Sequence, residues 1–419
     1  MSSSKSKLGF QATWSMAVGG MVGGGIFSTL GVVISIAGQW AWLSFVVAGL
    51  VALASGYSYS KLAEKYGEGG GAFTFLRKIH KDGFAGSLSW VLILGYILTN
   101  SVYAYTFGTY LAHVFDAGAW LPRTAALAIL ALFIGLNLTG TDEASGAEIF
   151  LVWFKLIVLV GLAAFGLAKW DVAQLSAGTS GTGISAAIFG AAAVFMAYEG
   201  FQLLAYDYDD IEDPGKTLPR ALLSAIVVVI FVYVIVAVGV AMLIGAGKVV
   251  ENEEVALAIA GKQALGTTGL IVVTIAAAFS TGSAINSTLF ATARLAKTVA
   301  DHNELPSALA HQNSNDIPDR AVIGLGLFSA IFAVFGNLSS LVEAASLTFL
   351  FTFAVVNALA WLQNAGHRWI TGAGSLLASA ATVTLIIRLF HQQPWSLAVL
   401  AAVVMAAVFL RPYLLQKST

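Results

Sequence analysis

Apolar residues run through this chain in long segments that short polar connections separate. A transmembrane helix needs about 20 predominantly apolar residues. Twelve such segments can be placed, at roughly 10–37, 40–60, 84–115, 121–139, 146–168, 182–210, 220–246, 265–298, 319–336, 341–364, 368–388 and 394–412. No connection between them is long enough to hold a separate soluble domain. The pattern therefore predicts an all-α membrane protein with about twelve transmembrane helices.

The composition agrees with this pattern and excludes some kinds of site. Of the 419 residues, 58% are hydrophobic and 10% are charged, and the mean hydropathy is +0.84. Cysteine is absent, which excludes disulfides and thiolate metal sites. We expect no metal, no organic cofactor and no nucleic-acid partner. Membrane lipid is the expected surroundings, and a monomer is the expected state.

The basic residues predict an orientation, because Lys and Arg in short loops are retained on the cytoplasmic side. With twelve spans and both termini on one side, fifteen of the 21 Lys and Arg residues fall on that side and five on the other. The remaining one, Lys155, lies inside a span. We therefore expect cytoplasmic tails at 1–9 and 413–419. Short loops favour a prokaryotic cytoplasmic membrane.

The first apolar segment contains five glycines within Val18–Phe27, which reads VGGMVGGGIF. Such a run is poorly suited to a continuous helix. Inside a membrane, non-helical backbone is tolerated only where it is buried in protein or lines a cavity. The glycines therefore predict a broken helix and a ligand site. The alternative is that they allow close packing between helices.

A second interruption lies five spans later, in FMAYEGFQ at Phe195–Gln202. Paired interrupted segments in two halves indicate an inverted repeat with its binding site near the bilayer midplane. We expect a first five-helix repeat at 10–168 and a second at 182–364. The last two helices, at 368–412, fall outside this symmetry.

Broken helix ends could hold a zwitterion, because amides at a helix N-terminus favour anions and free carbonyls favour cations. An α-amino acid could place its carboxylate on the amides of Gly23–Gly25 and its ammonium on carbonyls near Phe195–Tyr198. Aromatic residues around the site favour small to moderate neutral side chains. The candidate substrate-binding residues are Met21, Val22, Gly23, Gly24, Gly25, Ile26, Tyr103, Phe195, Ala197, Tyr198, Glu199, Gly200 and Phe201.

The chain resembles the amino acid–polyamine–organocation superfamily of transporters. Four stretches carry the resemblance, namely MVGGGIF at Met21–Phe27, AYEGFQ at Ala197–Gln202, IEDPGKTLPRAL at Ile211–Leu222 and RLAKTVADHNELP at Arg294–Pro306. They occur in the expected order over about 285 residues. The resemblance implies the LeuT-type fold, with a 5+5 inverted repeat and broken helices 1 and 6.

Lys155 lies among apolar neighbours in the fifth span, where a basic residue costs about 2.5–3.5 kcal/mol on insertion scales. It could reach the cytoplasmic surface by snorkelling. The resemblance instead implies that Lys155 occupies the place that sodium takes in relatives, with the proton as coupling ion and sodium less favoured. We expect it to link the carbonyls around Gly20 to the eighth helix, near Ser280, Thr281 and Ser283.

Other residues leave more than one interpretation open. Glu199 could accept a hydrogen bond from a substrate ammonium, neutralise a cationic side chain, or be protonated and structural. Ser346 and Phe349 are candidate walls or gates of the site. His113 is expected to be interfacial rather than a proton relay.

These observations favour one function. We expect a sodium-independent, proton-coupled symporter that imports small neutral L-amino acids by alternating access. The alternative is an exchanger of amino acids, amines or polyamines. An enzyme is disfavoured, since the chain has neither an HExxH motif nor cysteine, and no Walker motif suggests nucleotide binding. A channel is disfavoured by the paired breaks and the buried lysine.

Overall fold

The computed structural model describes residues 7–115, 118, 120–140, 145–179, 181–406 and 409. The predicted terminal tails lie largely outside this part of the chain. The α-helices are α1 (Phe10–Ala37), α2 (Ala41–Tyr66), α3 (Gly71–Arg77), α4 (Asp82–Phe115), α5 (Leu121–Thr139), α6 (Ser145–Lys169), α7 (Ala186–Ala193), α8 (Pro214–Ile244), α9 (Ala246–Glu251), α10 (Ala256–Asp301), α11 (Asp319–Phe335), α12 (Leu338–Leu362), α13 (Arg368–Gln392) and α14 (Pro394–Met405). Short 3₁₀ helices lie at Gly38–Trp40, Val172–Leu175, Phe195–Tyr198, Phe201–Ala205, Tyr208–Asp210 and Ser307–Ala310.

The predicted all-helical membrane architecture is confirmed. In the described part of the chain, eight helical segments are long and apolar enough to cross a membrane. One of them joins α1 and α2 into a single run, Phe10–Tyr66. The sixth, ninth and twelfth predicted spans contain shorter helices, namely α7, α11 and the described part of α14. The eighth predicted span begins at a kink inside α10, where Gly266 has φ 62°.

The structure differs from the prediction in the first span. Helix α1 runs from Phe10 to Ala37 without an interruption at the glycine run. The physical reason is that the glycines lie where neighbouring elements approach the helix closely, so they serve packing in this conformation.

The sixth span is broken, as the sequence predicted. Helix α7 ends at Ala193, and a 3₁₀ turn covers Phe195–Tyr198. Glu199 is then extended, with φ −63° and ψ 148°, and Gly200 has φ 118° before a second 3₁₀ turn begins. We call residues 194–200 the α7 break. Only glycine adopts the Gly200 backbone angle without strain.

Helix α1 occupies the centre of the molecule. It packs against α6, α7, α8, α10 and the α7 break, and most of its residues are buried. Helix α13 lies at the periphery, since most of its residues are exposed or only partly buried. The central position of α1 makes its backbone the part of the fold that most neighbours contact. The repeat boundaries at 10–168 and 182–364 stay a prediction.

A buried amide fastens α2 to α12. Asn357 is fully buried. It accepts a hydrogen bond from the Ser58 hydroxyl at 2.6 Å and donates to the Ser55 hydroxyl at 2.9 Å and to the Phe353 carbonyl at 2.8 Å. Its amide therefore satisfies polar groups on two helices.

We expect Asn357→Ala to lower thermal stability in detergent, because interhelical hydrogen bonds in membrane proteins contribute on the order of 1 kcal/mol each. The measurement is the midpoint of thermal unfolding followed by size-exclusion chromatography. Thr124→Ala is the control, since Thr124 is exposed and its hydroxyl bonds its own helix. Equal midpoints for the two variants would contradict a structural role for Asn357.

Candidate functional site

The α7 break lies directly against α1. A Cβ atom built on Gly200 would be 2.6 Å from the carbonyl carbon of Gly20, and one built on Gly20 would be 3.0 Å from the Gly200 Cα. The first distance is shorter than real Cβ contacts allow, and the second is tighter than nearly all of them. The two backbones therefore touch, and glycine is needed on each side.

The other α1 glycines face neighbours in the same way. A Cβ on Gly23 would be 2.5 Å from the Ala284 Cβ, and one on Gly24 would be 2.0 Å from the Tyr103 ring. A Cβ on Gly25 would be 2.4 Å from the Tyr233 hydroxyl. In this conformation protein atoms fill the space that the sequence assigned to a substrate.

Tyr233, on α8, bridges the two candidate binding elements, and the sequence analysis missed it. Its hydroxyl lies 2.7 Å from the Met21 carbonyl and 2.9 Å from the Ala197 carbonyl, so that its single O–H proton is shared between the two acceptors. The residue is fully buried. Its signal in the sequence was a hydroxyl-bearing side chain within the apolar run IFVYVIV.

Glu199 is buried in the break and is held by protein donors. The Tyr103 hydroxyl donates to one carboxylate oxygen at 3.2 Å, and the Gln202 amide donates to the other at 3.0 Å. The Gln202 amide nitrogen also contacts the Tyr96 hydroxyl at 3.1 Å, while its oxygen accepts from the Gly200 amide at 3.0 Å. The network fixes the extended residue and its glycine neighbour together.

Ser346 binds backbone groups at the start of the α7 break. Its hydroxyl donates to the Ala193 carbonyl at 2.7 Å and accepts from the Met196 amide at 2.9 Å. These backbone groups lie at the end of α7, where helical partners run out. Ser346 on α12 therefore replaces a missing turn of helix rather than forming an open wall.

The aromatic candidates pack against one another. Phe195 and Phe201 lie 5.6 Å and 5.3 Å from Phe353, measured between ring centroids. Tyr198 donates to the Phe45 carbonyl at 2.7 Å. Phe349 lies 5.4 Å from the Tyr96 ring. All of these candidates are buried, as are the side chains of Met21, Val22, Ile26 and Ala197. His113 is partly exposed near the end of α4.

Lys155 reaches α1 from α6. It is 1% exposed, and its ammonium donates to the Gly19 carbonyl at 3.0 Å. It is therefore bound inside the protein and does not snorkel to a surface in this conformation. The partner is the carbonyl next to Gly20, one residue before the position that the sequence analysis named.

The α10 hydroxyls divide into two roles. Ser280 donates to the Val22 carbonyl of α1 at 2.6 Å. Thr281 and Ser283 instead bond carbonyls of their own helix, at 2.8 Å and 3.2 Å. Ser280 thus joins α1 to α10, in parallel with the link that Lys155 makes to α6.

A cavity of about 550 Å³ opens beside this site. Its inner end is the contact between Gly20 and Gly200, and its mouth lies near Arg294, whose guanidinium is 3.4 Å from the Asp207 carboxylate. Polar residues that line the cavity include Asn137, Glu148, Tyr206, Asp209, Asn286 and Ser287. The cavity reaches the edge of the predicted binding site, and its interior stops there.

The helical membrane architecture agrees with the comparison to known families. The family model described as amino acid permease matches residues 8–412. The chain belongs to this amino acid permease family. It is therefore a multi-pass membrane transporter rather than an enzyme.

Relatives of this permease come from distant organisms. An uncharacterized protein of Methanocaldococcus jannaschii is 31% identical over 86% of this chain and 84% of its own. The inner membrane transport protein YbaT of Escherichia coli is 30% identical over 83% of this chain and 82% of its own. The serine/threonine exchanger SteT of Bacillus subtilis is 24% identical over 73% and 70%.

A solved structure shows the same fold. MhsT in complex with L-phenylalanine matches with a TM-score of 0.62 at 15% identity, covering 99% of this chain and 98% of that one. MhsT has the LeuT-type fold, so the expected fold of this permease is confirmed.

Gly200→Ala is expected to abolish amino-acid transport, because the new methyl group would strain the backbone and collide with Gly20. The measurement is uptake of labelled amino acids into proteoliposomes, with protein yield and monodispersity checked in parallel. Gly215→Ala is the matched control, since a Cβ there meets nothing within 4 Å. Normal transport by the Gly200 variant would show that the close contact is dispensable.

Proposed function

We propose that this permease imports small neutral L-amino acids by sodium-independent, proton-coupled symport with alternating access. The observation that carries this proposal is the buried Lys155 ammonium, which binds the Gly19 carbonyl of α1. A fixed ammonium does there what a bound cation does, because it holds backbone carbonyls through its positive charge.

The protonation state of Lys155 supplies a switch. Removal from water disfavours the charged form of a lysine, so that a buried lysine can lose its proton. A neutral amine holds the Gly19 carbonyl less strongly than an ammonium does. Loss of the proton therefore loosens α1 from α6, and one proton moves with each such change.

The substrate proposal follows from the geometry of the break. The carbonyls of Met21 and Ala197 are adjacent and share the Tyr233 hydroxyl, so a substrate ammonium would replace that donor. Both oxygens of Glu199 already accept hydrogen bonds from protein groups. A neutral side chain needs no further counter-charge, and the Tyr103 ring against Gly24 restricts its size.

The two faces of the molecule differ as alternating access requires. The cavity opens on the face of Arg294. On the opposite face, the backbone of Glu253 lies so close to Gly31 that a Cβ there would be 2.2 Å from its carbonyl oxygen, and Glu253 also bonds Ser339. We assign the Arg294 face to the cytoplasm from the distribution of Lys and Arg, which makes this conformation inward-facing.

Exchange of amino acids is the second candidate function. It is favoured by the similarity to SteT, which is described as a serine/threonine exchanger. An exchanger uses the same site, but it changes between its inward-facing and outward-facing conformations only when a substrate is bound. Lys155 would then hold α1 in place without moving a proton in each cycle.

Lys155→Ala is expected to abolish uptake driven by an inward proton gradient, because the variant has no ammonium to titrate. The assay uses proteoliposomes without sodium and a panel of labelled amino acids and polyamines. We expect the native protein to accumulate small neutral amino acids and to leave polyamines outside.

Lys216→Ala serves as the control, since this lysine is exposed and pairs with Asp213 at the surface. Counterflow with substrate preloaded inside shows whether the Lys155 variant still folds and binds. Native uptake that ignores the gradient but is accelerated by preloading would support exchange and overturn the symport proposal.

A further inference from the structure

A carboxylate lies on the same face of α6 as Lys155. Glu148 precedes it by seven residues, which is about two helical turns, so both side chains point towards α1. The Glu148 Oε1 atom lies 3.3 Å from the position that a Gly19 Cβ would occupy. Lys155 binds the carbonyl of that same glycine. Gly19 thus lies next to both charged groups, and its lack of a side chain leaves room for the Glu148 carboxylate.

Glu148 also contacts the cavity. It lines the same space as Gly20 and Gly200 and is partly exposed, whereas Lys155 is 1% exposed and does not line it. The carboxylate therefore lies between the buried ammonium and the space that opens to solvent. A proton that leaves Lys155 for this cavity has an acceptor group on its way.

The other elements packed against α6 bring different groups. Helix α1 has no charged residue within Phe10–Ala37. On α8, the Tyr233 hydroxyl is bound to carbonyls of Met21 and Ala197, and Lys216 pairs with Asp213. Arg294 of α10 pairs with Asp207 at the cavity mouth. Among the described residues, Glu148 is the carboxylate that lies against the same α1 glycine as Lys155.

We propose that Glu148 is the proton acceptor through which Lys155 exchanges its proton with the cavity. This inference rests on the proposed proton-coupled function. In the step, an N–H bond of the Lys155 ammonium breaks, the proton passes to water that enters from the cavity, and a proton from that water forms an O–H bond with the Glu148 carboxylate. The products are a neutral amine and a neutral carboxylic acid. The acid then releases the proton to water in the cavity.

The burial of Lys155 favours this route. An ion pair loses more hydration than a neutral pair does when both are removed from water. Transfer of a proton from ammonium to carboxylate replaces two charges by none, and release occurs only at the wetter group. Glu148 therefore acts on transport through Lys155, as a positioning and proton-accepting residue that does not touch the substrate.

The test compares Glu148→Gln, Glu148→Asp and Asp209→Asn with the native protein in proteoliposomes. The Gln variant keeps the size of the Glu148 side chain but removes the carboxylate that accepts the proton. The Asp variant restores a carboxylate at this position. Asp209 is exposed and lines the same cavity, so its variant removes one negative charge without touching α6. The readouts are gradient-driven uptake as a function of internal pH, and counterflow at equal pH on both sides.

Glu148→Gln is expected to reduce gradient-driven uptake by about tenfold or more, as the loss of a positioned proton acceptor does in general, and to change its dependence on internal pH. Counterflow stays near native, Asp restores most of the uptake, and Asp209→Asn resembles the native protein. An unchanged pH profile for Glu148→Gln overturns the proposal while leaving proton coupling intact.

Two further outcomes separate the possible failures. Equal losses of uptake and counterflow at every pH, without recovery in the Asp variant, would show that Glu148 only supports the fold and would overturn the proposal. Native uptake that does not respond to the proton gradient would overturn the proposed symport function itself, and the Glu148 step with it.

Discussion

Backbone groups that leave regular helix inside a membrane need partners from the protein, because lipid supplies none. The α7 break exposes several such groups at the centre of the molecule, and each neighbour of the break supplies one partner. Ser346 serves the end of α7, Gln202 serves the Gly200 amide, and Tyr233 serves the Ala197 carbonyl. The break is stable because side chains from α8, from α12 and from the 3₁₀ turn at Phe201–Ala205 supply these partners.

Side chains of neighbouring helices also bind backbone carbonyls of α1, although this helix is continuous. Its carbonyls at Gly19, Met21 and Val22 accept hydrogen bonds from three different helices, through Lys155, Tyr233 and Ser280. Helix α1 is thus held at its middle by side chains whose bonds can be exchanged. In the proposed mechanism, a substrate ammonium competes for these carbonyls and loss of the Lys155 proton weakens one of the bonds, so that a small local change alters how the central helix is held.

Much of this was readable in the sequence. The apolar segments predicted the spans, and the Glu199–Gly200 pair in an apolar run predicted the break in the sixth span. The conformation of the α1 glycine run could not be predicted from the sequence. Whether VGGMVGGGIF unwinds or stays helical depends on which side chains of neighbouring helices pack against it. Tyr103, Ala284 and Tyr233 approach from three separate helices. The role of Tyr233 was missed for the same reason, since a tyrosine in an apolar span gives no indication of which carbonyl it reaches.

The position of Lys155 shows why a charged residue is tolerated at this depth. A lysine on the lipid-facing side of α6 would have to snorkel or disrupt the bilayer, whereas Lys155 faces α1 and finds a carbonyl there. Its charge is also not isolated, because Glu148 lies on the same face and contacts the cavity. A cation that is fixed to the chain cannot dissociate as sodium does, so its charge can be removed only by removing a proton. In the proposed mechanism, access of water to its neighbourhood decides when that happens, which connects the opening of the cavity to the strength of the bond that holds α1.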